Sequence, residues 1–264
     1  MLINISFRYM HGGLFIENND YHLNIDNIME INNINFYVSG NVIPEIQEQD
    51  ETKILKNIIE IIKRRNIGLV IDLSNYNNDF PKQQVFGSYD IVYYGYKIRD
   101  SSIDLSDSSE QHLESVIKTI ITIIPKIRKH VIIDKRNVLI HCYVGQNRSQ
   151  LLFIAYMLLV HDLSYYDVRV ELMKNRNQFI ISNPLFIALL YHISFNRDKY
   201  RMLMNLKILD PDIKSFVNEI KEYLFEKRTD ILETEGRIYK QYINGIVKKS
   251  LHKNLDRLNI LLHR

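Results

Sequence analysis

The sequence predicts an α/β fold: a central mixed, mostly parallel sheet of about four to five strands flanked by helices, followed by a helical C-terminal extension. Three observations carry this reading. Ile67-Gly68-Leu69-Val70-Ile71-Asp72-Leu73-Ser74 is a nearly continuous apolar run of strand length, as a strand buried on both faces requires. Asn137 to Ser149 reads as a second buried strand over Val138–Ile140, then a compact loop, then a helix from about Ser149 to Val160. Strand and helix patterns alternate along the middle of the chain, the order that packs helices onto a sheet.

Taken in order, residues 1–29 form an N-terminal segment. Within it Leu14–Ile16 and Tyr21–Ile25 read as short strands with a turn over Glu17–Asp20. Ile34 to Gly40 alternates like a half-buried strand ended by glycine. Thr52 can cap a helix that runs to about Arg65, with Ile54, Leu55, Ile58, Ile59 and Ile62 on one face. Asn75–Gly87 reads as loop. Asp90–Tyr94 and Tyr96–Ile98 read as one or two strands around Gly95. A long helix is expected from about Ser109 to Arg128, then a loop over Lys129–Arg136.

Leu151–Val160 is almost wholly apolar, which suits a helix buried beneath the preceding loop. Leu163–Asn175 gives another helix, with Ser164 as its cap. From residue 195 the pattern changes to helices broken at Asp210-Pro211 and near Gly236, with a basic excess. Phe216, Ile220, Tyr223 and Leu224 share one helical face, as do Leu255, Leu258 and Leu262. These helices either pack against the preceding domain or form an appendage for a partner, a membrane surface or RNA. The expected division is 1–29, 30–194 and 195–264.

Composition narrows the class. The chain has 264 residues, 46% of them hydrophobic and 25% charged, as in ordinary globular proteins. A net charge of +3 forces no nucleic-acid reading. No apolar run approaches the ~20 residues of a membrane span, and Met1 to Ser6 lacks the regions of a secretory signal. A single cysteine, Cys142, excludes an internal disulfide framework and a cysteine-rich zinc site. It points to a reducing compartment, the cytosol or nucleus.

The loop His141-Cys142-Tyr143-Val144-Gly145-Gln146-Asn147-Arg148-Ser149 carries the chemistry. Backbone N–H groups that converge at a helix N-terminus make an anion site. The planar guanidinium of Arg148 can clamp two phosphate oxygens at once. A positive cradle of this kind favours thiolate over thiol at a cysteine on its floor. A nucleophile beneath a phosphate cradle is the equipment for attack on phosphorus.

His-Cys-x-x-Gly-x-x-Arg-Ser between an apolar strand and a helix resembles the signature loop of the protein tyrosine phosphatase superfamily. Its flanks most resemble the compact dual-specificity phosphatases, including viral ones. The likeness runs from about Ile34 to His192, with a second anchor in Asn175 to Phe186, where a basic segment leads into Asn183-Pro184 and a final helix. The resemblance implies two-step hydrolysis of phosphotyrosine, and of phosphoserine or phosphothreonine, on proteins. Cys142 is then the nucleophile, and residues 143–148 (Tyr143, Val144, Gly145, Gln146, Asn147 and Arg148) hold the phosphate. Ser149 stabilises the leaving thiolate, and His141 orients the loop and helps keep the thiol pKa low. Asp100 is the general acid, with Asp104 and Asp107 as rivals, because it lies 42 positions before Cys142, a longer spacing than the compact members lead one to expect. Arg176 is either a substrate-facing charge or a surface arginine. No metal or cofactor is implied, since the loop supplies the positive field.

The five central loop positions carry no charge, which argues against highly phosphorylated inositols. Ile67 to Asn75 also resembles a segment of RNA 5′-triphosphatases in the same superfamily, so an RNA 5′ end is the alternative substrate. However, those enzymes tend to place Thr-Gly after the arginine, where this chain has Ser149-Gln150. A catalytically inactive phosphate-binding module is the third reading.

Overall fold

The computed structural model describes residues 13–17, 20–24, 26–40, 51–74, 80–100, 107–175, 181, 183–205, 216–220, 229–231, 233–238 and 240. Two sheets are present among them. The first is a hairpin of β1 (Gly13–Glu17) and β2 (Asp20–Asn24). The second has five strands, β3 (Asp26–Ile31), β4 (Ile34–Ser39), β5 (Ile67–Asp72), β6 (Val92–Gly95) and β7 (Asn137–His141), in the order β3-β4-β7-β5-β6.

Four of these five strands are parallel. Only β3 runs against its neighbour β4, across Asn32 and Asn33, both of which have positive φ (52° and 64°). A two-residue turn with both φ values positive matches the twist of paired strands, and asparagine tolerates that conformation better than most residues. Strand β3 was not expected. Its alternation is weak because polar residues occupy much of it.

Helix α1 (Glu51–Arg64) and the short α2 (Phe80–Gly87) cover one face of the sheet. Ile58, Ile59 and Ile62 from α1 meet Ile67, Val70 and Leu139 from the strands, and Phe86 stacks on Tyr93 at 5.1 Å. Helix α2 corrects the expectation of a loop over Asn75–Gly87. Its weak amphipathicity and its Pro81 concealed it, and what holds it is Phe86 on the sheet.

On the other face lie α3 (Asp107–Ile133), α4 (Arg148–Val160), α5 (Tyr165–Asn175), α6 (Pro184–Phe195) and α7 (Arg197–Asn205). Helix α3 continues to Ile133, which corrects the expected loop from Lys129. His130 at 2.6 Å from Asp134 links the last turn to the residue just beyond it. Helix α4 is buried from Arg148 to Leu159, as a helix apolar on all sides must be. Tyr96–Ile98 contributes only a bridge, Lys97 to Ser74, and no full strand.

The described part of residues 195–264 is continuous with this core. Tyr200 of α7 is buried with its hydroxyl 2.9 Å from His192, and Phe216 meets Tyr200 edge-on. Val217, Ile220, Ile231 and Ile238 are buried in the same cluster as α4 and α6. Arg169 of α5, 1% exposed, is paired with Glu235 at 2.8 Å. Leu255, Leu258 and Leu262 lie outside the described residues. Among the described residues no helix is long and apolar enough to cross a membrane.

Candidate active site

The register brings three strand ends to one line. Ser39 of β4 and Asp72 of β5 both pair with His141 of β7. The chain leaves β7 at His141 and must turn at once into α4, so the loop 142–147 lies across the C-terminal edge of the parallel strands. That edge is where open α/β sheets place ligands.

Cys142 sits on the floor of the loop, 1% exposed. Its backbone N–H donates to Ser39 O at 3.3 Å, which ties the loop to the neighbouring strand. The Gly145 N–H donates to Cys142 Sγ at 3.2 Å, and Ser149 Oγ lies 3.4 Å from the same sulfur. Gly145 makes this possible with φ +77° and by close approach: a Cβ there would stand 2.5 Å from Gly40 N. Gln150, where the family pattern has glycine, donates to Gly145 O at 3.5 Å and braces the loop from α4.

Arg148 is 4% exposed. Its Nη1 donates to Leu73 O and Ile98 O, each at 3.3 Å, which tethers the guanidinium to the segments following β5 and β6. Asp100 lies beside it, with Oδ2 3.9 Å from Arg148 Nε. The amide of Asn147 donates to both oxygens of Asp100, at 3.1 and 3.2 Å. Asp100 is thus brought to the loop. Asp104 and Arg176 lie outside the described residues, as does the side chain of Asp107. Tyr143 is exposed, while Val144, Gln146 and Asn147 are half-buried.

His141 is fully buried, its Nδ1 3.8 Å from Asp72 Oδ1, beyond hydrogen-bond reach. Burial holds the imidazole below its ordinary value. The Asp72 charge pulls the other way, and Lys82 and Arg148 add to the depression. A neutral imidazole adds no charge, which corrects the expectation that His141 helps to lower the thiol pKa; the positive field at the loop comes from Arg148 and the backbone N–H groups.

Asp72 is a site residue that the sequence reading missed. It is 1% exposed and accepts hydrogen bonds from Tyr93 OH at 2.7 Å and from Ser74 N at 2.8 Å, with Lys82 Nζ at 3.6 Å. Burial alone would raise its carboxyl. His141, charged only once it takes up a proton at low pH, acts with Ser74, Tyr93 and Lys82 to outweigh burial and hold the carboxyl at about 2, below its ordinary 3.8. A depressed folded value means that ionised Asp72 stabilises the fold above about pH 4, and that this is lost as pH falls towards 2. The contribution is roughly 2 kcal/mol, since a tenfold change in proton affinity is worth about 1.4 kcal/mol. Asp72→Asn is expected to lower the urea midpoint at pH 7 and to flatten its decline between about pH 4 and 2, measured against wild type.

A signal for Asp72 existed: it is the only charge in an otherwise apolar strand. Asn183 was missed as well. It caps α6, accepting from Leu185 N at 3.0 Å with Pro184 at the first helical turn, and its amide reaches Asp100 at 3.3 Å. An asparagine just before a proline that opens an apolar helix is a readable cap. The contact to Asp100 is not readable from sequence.

The family model of the dual specificity phosphatase catalytic domain matches residues 49–195. The chain is 34% identical over 78 residues to the dual specificity protein phosphatase MPK-4 of Drosophila melanogaster, which covers 30% of this chain and 18% of that protein. It therefore spans under a fifth of the length of that curated relative. Among solved structures, Cydia pomonella PTP-2 phosphatase superposes with a TM-score of 0.46 at 15% identity, covering 63% of this chain and 87% of the other. DUSP15 superposes with a TM-score of 0.43 at 16% identity, covering 70% and 96%. The family match takes in α1 to α6, the signature loop and Asp100, more than half of the sequence. The chain belongs to the dual specificity phosphatase family, within the protein tyrosine phosphatase superfamily.

Proposed function

We propose that this protein removes phosphate from phosphotyrosine, and from phosphoserine or phosphothreonine, on proteins through a cysteinyl-phosphate intermediate. The observation that carries the reading is the sulfur of Cys142, fixed between the Gly145 N–H and the Ser149 hydroxyl, with Arg148 and Asp100 at the opposite end of the loop. Cys142 as thiolate attacks phosphorus. The S–P bond forms while the P–O bond to the leaving group breaks, and Asp100 gives its proton to the departing oxygen. Loop N–H groups and the Arg148 guanidinium take the phosphate oxygens. Water then attacks the cysteinyl-phosphate and yields a proton to Asp100. The thiolate departs with the Ser149 hydroxyl donating to it. The chemistry requires reduced Cys142, which fits a cytosolic or nuclear setting.

The test is phosphate release by wild type and Cys142→Ser on phosphotyrosine peptide, phosphoserine peptide and 5′-triphosphate RNA. Turnover of the peptides, abolished in Cys142→Ser, is the expected result. Preference for the RNA moves the protein to the triphosphatase reading. Retained phosphopeptide binding without turnover leaves a phosphate-binding module.

A further inference from the structure

We propose that Asn183 is a positioning residue for the proton-transfer step, holding Asp100 through its side-chain amide. This rests on the assignment of Asp100 as the general acid. Two amides converge on that carboxylate: Asn147 from the loop and Asn183 from the start of α6. The pair is locked by bonds that fix which way each amide faces. The Asn183 oxygen is committed to the α6 N-terminus, accepting from Leu185 N, so its nitrogen must be the atom that faces Asp100. The Asn147 oxygen accepts from Asn183 N at 3.3 Å, so the Asn147 nitrogen also faces Asp100. A flipped amide at either position would break a backbone bond and set oxygen against carboxylate.

The result is a closed ring of hydrogen bonds through the loop, the acid and α6. Asn183 is 4% exposed, so water does not substitute readily for its amide. Oδ1 of Asp100 accepts from both amides, and Oδ2 accepts from Asn147 and lies near Arg148. The acid is therefore aimed by a helix cap. The same asparagine that starts α6 also fixes the carboxylate at the loop.

A residue that only aims the acid matters in proportion to how much the leaving group needs a proton. The experiment compares kcat/KM on 4-nitrophenyl phosphate, whose leaving group departs readily, with kcat/KM on phenyl phosphate, whose leaving group does not. The full chain is used as wild type, Asp100→Asn, Asn183→Ser and the double variant. Serine keeps a capping oxygen for Leu185 N but has no amide to reach Asp100. Asp100→Asn is expected to lose on the order of 100-fold on phenyl phosphate and far less on 4-nitrophenyl phosphate. Asn183→Ser should show the same selectivity at about 10-fold, the size of one lost hydrogen bond to a charged group. The double variant should be no worse than Asp100→Asn alone. Asn183→Gly, which also serves as a helix cap but has no amide, should show the same selectivity, and it carries the test if the serine variant does not fold. Equal losses on both substrates in both Asn183 variants, or additive loss in the double variant, would overturn the inference. A flat profile in Asp100→Asn itself would remove the acid assignment, and this inference with it.

Discussion

Gly145→Ala is expected to inactivate the protein and to destabilise it by about 3 kcal/mol, from two costs that add. An alanine at φ +77° bears the left-handed penalty of roughly 1–2 kcal/mol. Its Cβ would also meet backbone: Gly40 N at 2.5 Å, Ser39 C at 2.7 Å and Ser39 O at 2.9 Å. Backbone cannot rotate away as a side-chain tip can, so the loop must lift off the end of β4. That displacement moves the Gly145 N–H away from Cys142 Sγ, a contact now at 3.2 Å. Misplacement of a reacting group by about 1 Å costs around 100-fold in rate. The measurement is kcat/KM on phosphotyrosine peptide together with the urea midpoint. A variant with wild-type turnover would show that the loop reaches its working shape without this contact between β4 and Gly145.

Glu235→Ala is expected to cost about 3 kcal/mol, the largest effect among residues remote from the loop. Arg169 is 1% exposed, and its Nη2 meets Glu235 Oε2 at 2.8 Å. The other two guanidinium nitrogens have no hydrogen-bond acceptor among the described residues. Tyr165 OH donates to the other Glu235 oxygen at 2.7 Å, and its ring lies under the guanidinium at 5.5 Å. Removing the carboxylate strands a buried cation, which typically costs about 3–5 kcal/mol, here reduced because Glu235 is partly exposed. Restoring neutrality should recover much of the loss, so Arg169→Met with Glu235→Ala should be more stable than Glu235→Ala alone. Thermal and urea unfolding of four proteins, wild type, Glu235→Ala, Arg169→Met and the double variant, reads this directly. Additive losses would mean that the two side chains act independently.

The signature loop was legible because a short spacing holds its chemistry: strand, Cys142, Gly145, Arg148 and helix lie within one continuous stretch. Asp100 was legible through resemblance, and the structure sets it among Asn147, Asn183 and Arg148. What stayed hidden depends on contacts between distant segments. Asp72 reads as an interruption in an apolar strand, and only the arrival of Tyr93 and Lys82 from β6 and α2 makes it a buried anion. Glu235 reads as one of many surface carboxylates until it is found against Arg169, 66 positions earlier. Helix α2 was hidden for a different reason. Local propensity is poor over Phe80–Gly87, and packing of Phe86 on Tyr93 supplies what propensity lacks.

The position of β7 also governs the order in which the molecule can be built. It lies in the middle of the sheet, and both partners come from far earlier in the chain: Phe36 and Leu69 each pair with Val138. Pairings of that kind demand closure of long chain segments before any contact rewards it, so they form late. Helices α3 and α4 can gain local structure early, while the turn between His141 and Arg148 has no shape until β4 and β5 are docked on either side. Refolding should therefore restore helical content ahead of catalytic competence. During synthesis, β4 and β5 must wait for the strand that joins them.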